Sequence, residues 1–136
     1  MLSKTPISQI MTKDVVVLDI NDNLTEAERV FGNRSLRHAP VLDNGQVVGM
    51  LSLVDLRRNL QVDDQPEAFM RASRVGDLMT PDPVSVQVNA SVLEVASIFT
   101  GDDFHAIPVL EGDRIAGIVS TTDIIKFLID SDREGD

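Results

Sequence analysis

Apolar positions along the chain fall into short runs with two different periods. Val15 to Leu18 and Pro83 to Val86 are rich in β-branched residues and predict short strands. Val92, Val95, Ala96 and Phe99 stand at i, i+3, i+4 and i+7, the apolar face of a helix. Ser91 with Glu94 predicts a capping box at the start of that helix, and Asn23 with Glu26 predicts the same in the first half. The run APVLDNGQVVGMLS predicts two strands about Asp43-Asn44-Gly45, because Asn-Gly accepts the positive φ angles of a tight hairpin. IPVLEGDRIAGIVS predicts a second hairpin turning at Glu111-Gly112-Asp113. A final helix follows each, with Leu53, Leu56 and Leu60 in one and Ile124, Ile125 and Leu128 in the other. The intervening QVDDQPEAFMRAS is polar and predicts a linker with one short helix at Pro66 to Arg71.

These elements are one pattern stated twice. An offset of 68 (79 − 11) places Met11-Thr12 on Met79-Thr80, Pro40-Val41-Leu42 on Pro108-Val109-Leu110, and Gly49, Ser52, Asp55 and Leu60 on Gly117, Ser120, Asp123 and Leu128. One offset held through both halves marks a tandem repeat. The expected organisation is a unit over 7–60, a linker over 61–74, a second unit over 75–130 and an acidic tail over 131–136. Each unit reads β-α-β-β-α, an α+β fold. A half of roughly 55 residues buries little apolar surface alone. The expectation is two units packed about a pseudo-twofold axis, with two equivalent clefts.

Composition narrows the function classes. The 136 residues include no Cys, Trp or Tyr. There is therefore no disulfide framework, thiolate metal site or Cys nucleophile. No apolar run approaches the roughly 20 residues of a membrane span, and the N-terminus lacks a secretory apolar region. A cytoplasmic location and no membrane partner are expected. The net charge of −10 repels a phosphate backbone, so nucleic acid is not an expected partner. Neither His38 nor His105 stands at metal-ligand spacing, and no nucleophile motif accompanies them, so neither a metal site nor an enzyme is expected.

The repeated Ser-x-x-Asp motif admits two readings. Ser52 with Asp55, and Ser120 with Asp123, stand where a strand becomes a helix and can act as caps alone. The same corner, with free N–H groups, hydroxyls and one carboxylate, also suits a nucleotide: the carboxylate accepts ribose hydroxyls while hydroxyls and N–H groups donate to phosphate. The second copy has Thr122 where the first has Val54, so the second is expected to be the more competent site.

On the Met-Thr openings, the Pro-Val strands and the phrases GMLSLVD and GIVSTTD, the chain resembles a pair of CBS (cystathionine beta-synthase) domains, a Bateman module. The resemblance covers nearly the whole chain. It implies a regulatory module that binds AMP, ADP, ATP or S-adenosylmethionine as a ligand, with no tightly bound cofactor. It implies that Asp123, and Asp55 as its counterpart, hold the ribose, with Ser120, Thr122 and Ser52 near ribose or phosphate. It implies that Ala106, Ile107 and Pro108, or Ala39 and Pro40, line the adenine. Thr80, Pro81 and the rest of the segment to Val84, or Thr12 to Val16, would border the base. Arg37, His38 and His105 would face phosphate. Asp102 and Asp103 depart from this pattern by placing negative charge beside His105, whereas the stretch Gly32 to His38 is basic. The resemblance further implies a homodimer and a separate effector protein. The other reading left open is a constitutive dimerisation or protein-interaction module with empty clefts.

Overall fold

The computed structural model describes residues 2–34, 36–61, 63–101 and 105–135. Asp102, Asp103 and Ser35, which the sequence singles out for charge or position, lie outside the described residues, as do the side chains of Asn33 and Arg34. The chain forms two compact units. The first is Val16–Pro83; the second joins Met1–Val15 to Val84–Asp136. Each unit thus contains one repeat's helix, hairpin and final helix, together with the Met-Thr opening of the other repeat.

The first unit runs β1 (Leu18–Asp19), α1 (Leu24–Arg34), β2 (His38–Asp43), β3 (Gln46–Ser52), α2 (Leu53–Gln61), α3 (Pro66–Ala72), α4 (Val75–Leu78) and β4 (Thr80–Pro81). Its sheet has the order β1-β2-β3-β4, with β1 parallel to β2 and the other pairs antiparallel. The second unit opens with a 3₁₀ turn at Ile7–Gln9 and continues with β5 (Val86–Gln87), α5 (Val92–Gly101), β6 (Ala106–Glu111), β7 (Arg114–Ser120) and α6 (Thr121–Gly135). Here β5 is parallel to β6, β6 antiparallel to β7, and Thr12 bridges Ile118.

The repeat offset holds at the level of strand register. Leu18 pairs Val41 and Val86 pairs Val109; Val41 pairs Gly49 and Val109 pairs Gly117. The register shifts at the same place in both hairpins, between Val41 and Leu42 and between Val109 and Leu110. Asn44 and Gly45 both adopt positive φ, 52° and 83°, as the Asn-Gly turn requires. Gly112, at φ 64°, does this in the other hairpin.

Each unit has its own core. Leu18, Leu24, Ala27, Phe31, Val41, Leu51, Leu56 and Val75 cluster in the first; Ile7, Val92, Val95, Ile107, Val109, Val119 and Ile124 cluster in the second. The face predicted for α5 is therefore the buried one. Gly32, in the last turns of α1, has open space where a Cβ would stand. Gly32→Ala should raise stability by about 0.5 kcal/mol, read as a higher melting temperature, because Ala loses less backbone entropy in a helix.

Several local expectations are corrected. Strand pairing begins at Leu18 and Val86 rather than at Val15 and Pro83. β-branched residues favour extended chain, but pairing starts only where β2 and β6 offer a register partner. The two predicted capping boxes form by half. The Glu26 N–H donates 2.9 Å to Asn23 Oδ1, and the Glu94 N–H 3.1 Å to Ser91 Oγ. The Glu26 carboxylate turns instead to the Arg29 guanidinium, which holds its carboxyl below the usual range. The acidic stretch expected as a tail is helical through Gly135, with Asp130, Asp132 and Glu134 exposed. Of the apolar residues on α6, Ile124 is buried while Ile125 and Leu128 stand 55% and 45% exposed, in keeping with a helix more apolar than one core requires.

Candidate functional site at the strand-to-helix corners

In the second unit the chain leaves β7 at Ser120 and enters α6 at once. The Asp123 N–H donates 3.1 Å to Ser120 Oγ, and the Ser120 N–H donates 2.9 Å to Asp123 Oδ2. This is a complete reciprocal cap. It fixes the Asp123 side chain through Oδ2 and, among the described residues, leaves Oδ1 unengaged. The Thr121 N–H donates 3.0 Å to the His105 carbonyl, tying the start of α6 to the start of β6. Thr122 is exposed, Ser120, Thr121 and Asp123 are half-buried, and His105 is exposed. Thr12 lies along the outer side of β7: its N–H donates 2.8 Å to the Ile118 carbonyl, and the Ile118 N–H returns 3.0 Å to the Thr12 carbonyl.

The corner of the first unit has the same backbone and a different carboxylate. The Asp55 N–H donates 3.0 Å to Ser52 Oγ, and the Leu53 N–H donates 2.8 Å to the Arg37 carbonyl. The Asp55 carboxylate makes no return bond to Ser52; Asp55 Oδ1 lies 3.9 Å from the Arg58 guanidinium, both groups partly exposed. A pair so exposed constrains little. Val54, the counterpart of Thr122, is 61% exposed and has no donor. Thr80 and Pro81 pair with Met50 and Gly49 on β3, and Asp82, at φ 49°, donates its N–H 3.1 Å to the Val48 carbonyl.

The residues singled out in sequence thus divide between the units. Ser120, Thr122, Asp123, His105, Ala106, Ile107, Pro108 and Val84 belong to the second unit, beside Thr12. Ser52, Asp55, Arg37 and His38 belong to the first, beside Thr80 and Pro81. Ile107 is fully buried within its core cluster, and Ala106 and Pro108 are buried. Val84 is 45% exposed. Sequence reasoning missed that each Met-Thr opening serves the other repeat's hairpin. The signal was present in Gly49 and Gly117: a side chain at Gly117 would meet Met11 Sδ at 2.6 Å and the Thr12 carbonyl at 2.8 Å, and one at Gly49 would meet Met79.

Two open depressions in the first unit, of about 550 and 480 Å³, lie against α3 and include none of these corner residues. Among the described residues no three His, Asp or Glu side chains are grouped to hold a metal ion, and no helix is long and apolar enough to cross a membrane.

The CBS domain family model matches residues 7–62 and 75–130. The uncharacterized protein MJ1404 of Methanocaldococcus jannaschii is 28% identical over 95% of this chain, which spans 33% of that protein's length. The structure of CBSX2 from Arabidopsis thaliana in complex with AMP superposes with a TM-score of 0.78 at 21% identity, covering 93% of this chain and 97% of that one. The CBS domain pair of protein MJ0100, in complex with 5′-methylthioadenosine and S-adenosyl-L-methionine, superposes with a TM-score of 0.80 at 21% identity, covering 93% and 98%. At these identities the likeness is one of fold.

Proposed function

The chain belongs to the CBS domain family as a tandem pair, and on that premise we propose that it is a regulatory module that senses an adenosyl nucleotide at the Asp123 corner. The observation that carries the reading is the reciprocal cap. Asp123 is held in one orientation by Ser120, with Oδ1 unengaged among the described residues, at the N-terminus of a 15-residue helix whose Thr122 is exposed. Such a carboxylate accepts ribose hydroxyls without first losing side-chain freedom, and the helix N-terminus favours a phosphate. Asp55 is less fixed and has Val54 beside it, so the first unit is the weaker site. Relatives of the same fold bind AMP or S-adenosyl-L-methionine, which supports an adenosyl ligand. Binding stabilises one arrangement of the protein, which a separate effector protein reads.

Thermal unfolding with AMP, ADP, ATP and S-adenosylmethionine in turn tests the reading. A ligand at ~100 times its Kd adds about 2.7 kcal/mol and raises the Tm. No shift with any of the four leaves the Asp123 carboxylate as a helix cap alone. A milder variant isolates the hydroxyl. Thr122→Val reproduces the first repeat's Val54 at an exposed position, so the unliganded Tm should not move. Affinity should fall about fivefold in calorimetric titration, the loss of roughly one hydrogen bond. Unchanged affinity would remove Thr122 from the site.

A further inference from the structure

The linker helix α3 is weakly secured. It has seven residues, none of them fully buried, and among the described residues no side-chain hydrogen bond caps its start. A helix so short does not hold together in water on its own. It persists because it packs on α1 and α2, laying Phe69 and Met70 against the first unit's core cluster. Its other five residues, Pro66, Glu67, Ala68, Arg71 and Ala72, are exposed. By the repeat offset Met70 corresponds to Leu2 (70 − 68 = 2), which packs on the second core cluster. The first unit thus carries a thioether where the second carries a hydrocarbon side chain.

The methionines of the described residues differ in their surroundings. Met50, on β3, is 8% exposed. Met11 and Met79 are half-buried, and each sulfur lies against the backbone of a glycine, Gly117 for Met11 and Gly49 for Met79. Met70 is half-buried too, but it lines the open depression of about 480 Å³ between α1 and α3, where Gly32 leaves open space in place of a Cβ. The chain has no Cys, so its oxidisable sulfurs are thioethers. We propose that Met70 is an oxidation site and that its sulfoxide releases α3 from α1 and α2. The Met70 sulfur attacks one oxygen of hydrogen peroxide, the O–O bond breaks, and the other oxygen leaves as water; the sulfur loses two electrons and the peroxide gains them. The sulfoxide is polar and chiral, and it stands where α3 depends on an apolar contact. Losing about half the burial of one methionine side chain makes local opening of α3 about tenfold more frequent. Opening takes Phe69 off the first core cluster as well. A methionine sulfoxide reductase restores the thioether, so the release is reversible. The inference is independent of the nucleotide.

Titration of the folded whole chain with hydrogen peroxide, read by peptide mass mapping, tests the site. Met70 should gain an oxygen atom before Met11, Met50 and Met79. Hydrogen exchange then tests the release: in the oxidised chain the α3 amides should exchange about tenfold faster, with those of α5 unchanged. Met70→Leu installs the residue of the second repeat at nearly constant volume, so the variant should fold and keep α3 protected before and after peroxide. Met70→Gln, polar like the sulfoxide, should speed α3 exchange with no oxidant present. Reduction of the oxidised wild type by a methionine sulfoxide reductase should restore the protection. Oxidation of Met11, Met50 or Met79 ahead of Met70 overturns the site. Unchanged α3 exchange after Met70 is oxidised overturns the release, and so does lost protection in peroxide-treated Met70→Leu. An α3 that already exchanges freely in the untreated chain overturns it too, because nothing is then left to release.

Discussion

Asp123→Ala is expected to abolish most adenosyl-ligand binding, with affinity falling about 100-fold, whereas Asp55→Ala should change it by less than about threefold. A carboxylate that accepts two ribose hydroxyls makes two charge-assisted bonds, each worth roughly 1.5 kcal/mol or more, and a loss of about 3 kcal/mol is about 100-fold. The same substitution also removes a helix cap. Because Asp123 Oδ2 accepts the Ser120 N–H, stability of the unliganded chain should fall by about 1 kcal/mol. The two effects separate experimentally. Calorimetric titration well below the variant's Tm reads affinity, and unfolding without ligand reads the cap. Asp55 gives no return bond to Ser52, so Asp55→Ala should disturb its helix less. Equal weakening of the ligand by the two variants would sink the assignment to the second unit.

Gly117→Ala should be the most destabilising small substitution in the chain, by about 3 kcal/mol, lowering the Tm by roughly 10 °C. Its Cβ would lie 2.8 Å from the Thr12 carbonyl as well as 2.6 Å from Met11 Sδ. The methionine can swing away, but the carbonyl is held by the two Thr12–Ile118 hydrogen bonds and cannot move without breaking them. At Gly49 the obstruction is mostly the flexible Met79 side chain, with Cγ at 2.9 Å and the Thr80 carbonyl at 3.1 Å. Gly49→Ala should therefore cost about 1 to 2 kcal/mol less. Adding Met79→Ala should recover part of that loss, while Met11→Ala should recover little at Gly117. If the two glycines tolerate alanine equally, the Thr12 strand contact does not hold the second unit together as described.

Much of the fold was legible because its determinants are local. Asn44-Gly45 selects its own turn, the apolar spacing of Val92, Val95, Ala96 and Phe99 selects the buried face of α5, and Pro66 starts α3 where expected. The Ser-x-x-Asp corners were legible for the same reason: cap and carboxylate are three residues apart. What differed was set by competition between neighbours. Glu26 had Arg29 within reach and left its capping box half made. Asp123 completed its own while Asp55 did not, a difference two identical Ser-x-x-Asp strings cannot express.

By itself the sequence determined that the chain is a tandem repeat, where each hairpin turns, and which helix faces are apolar, because these follow from spacing and from backbone preferences of single residues. Tertiary structure alone decided which Met-Thr opening joins which hairpin. The two openings and the two hairpins are near copies, so local chemistry fits either pairing. The choice falls to contacts spanning more than 100 residues, from Thr12 to Ile118, and to the shorter reach from Thr80 to Met50. It also decided which apolar residues are covered: Leu60 and Leu128 occupy the same place in the repeat, yet Leu60 lies against the first unit's core, where α3 packs on α2, while Leu128 is 45% exposed.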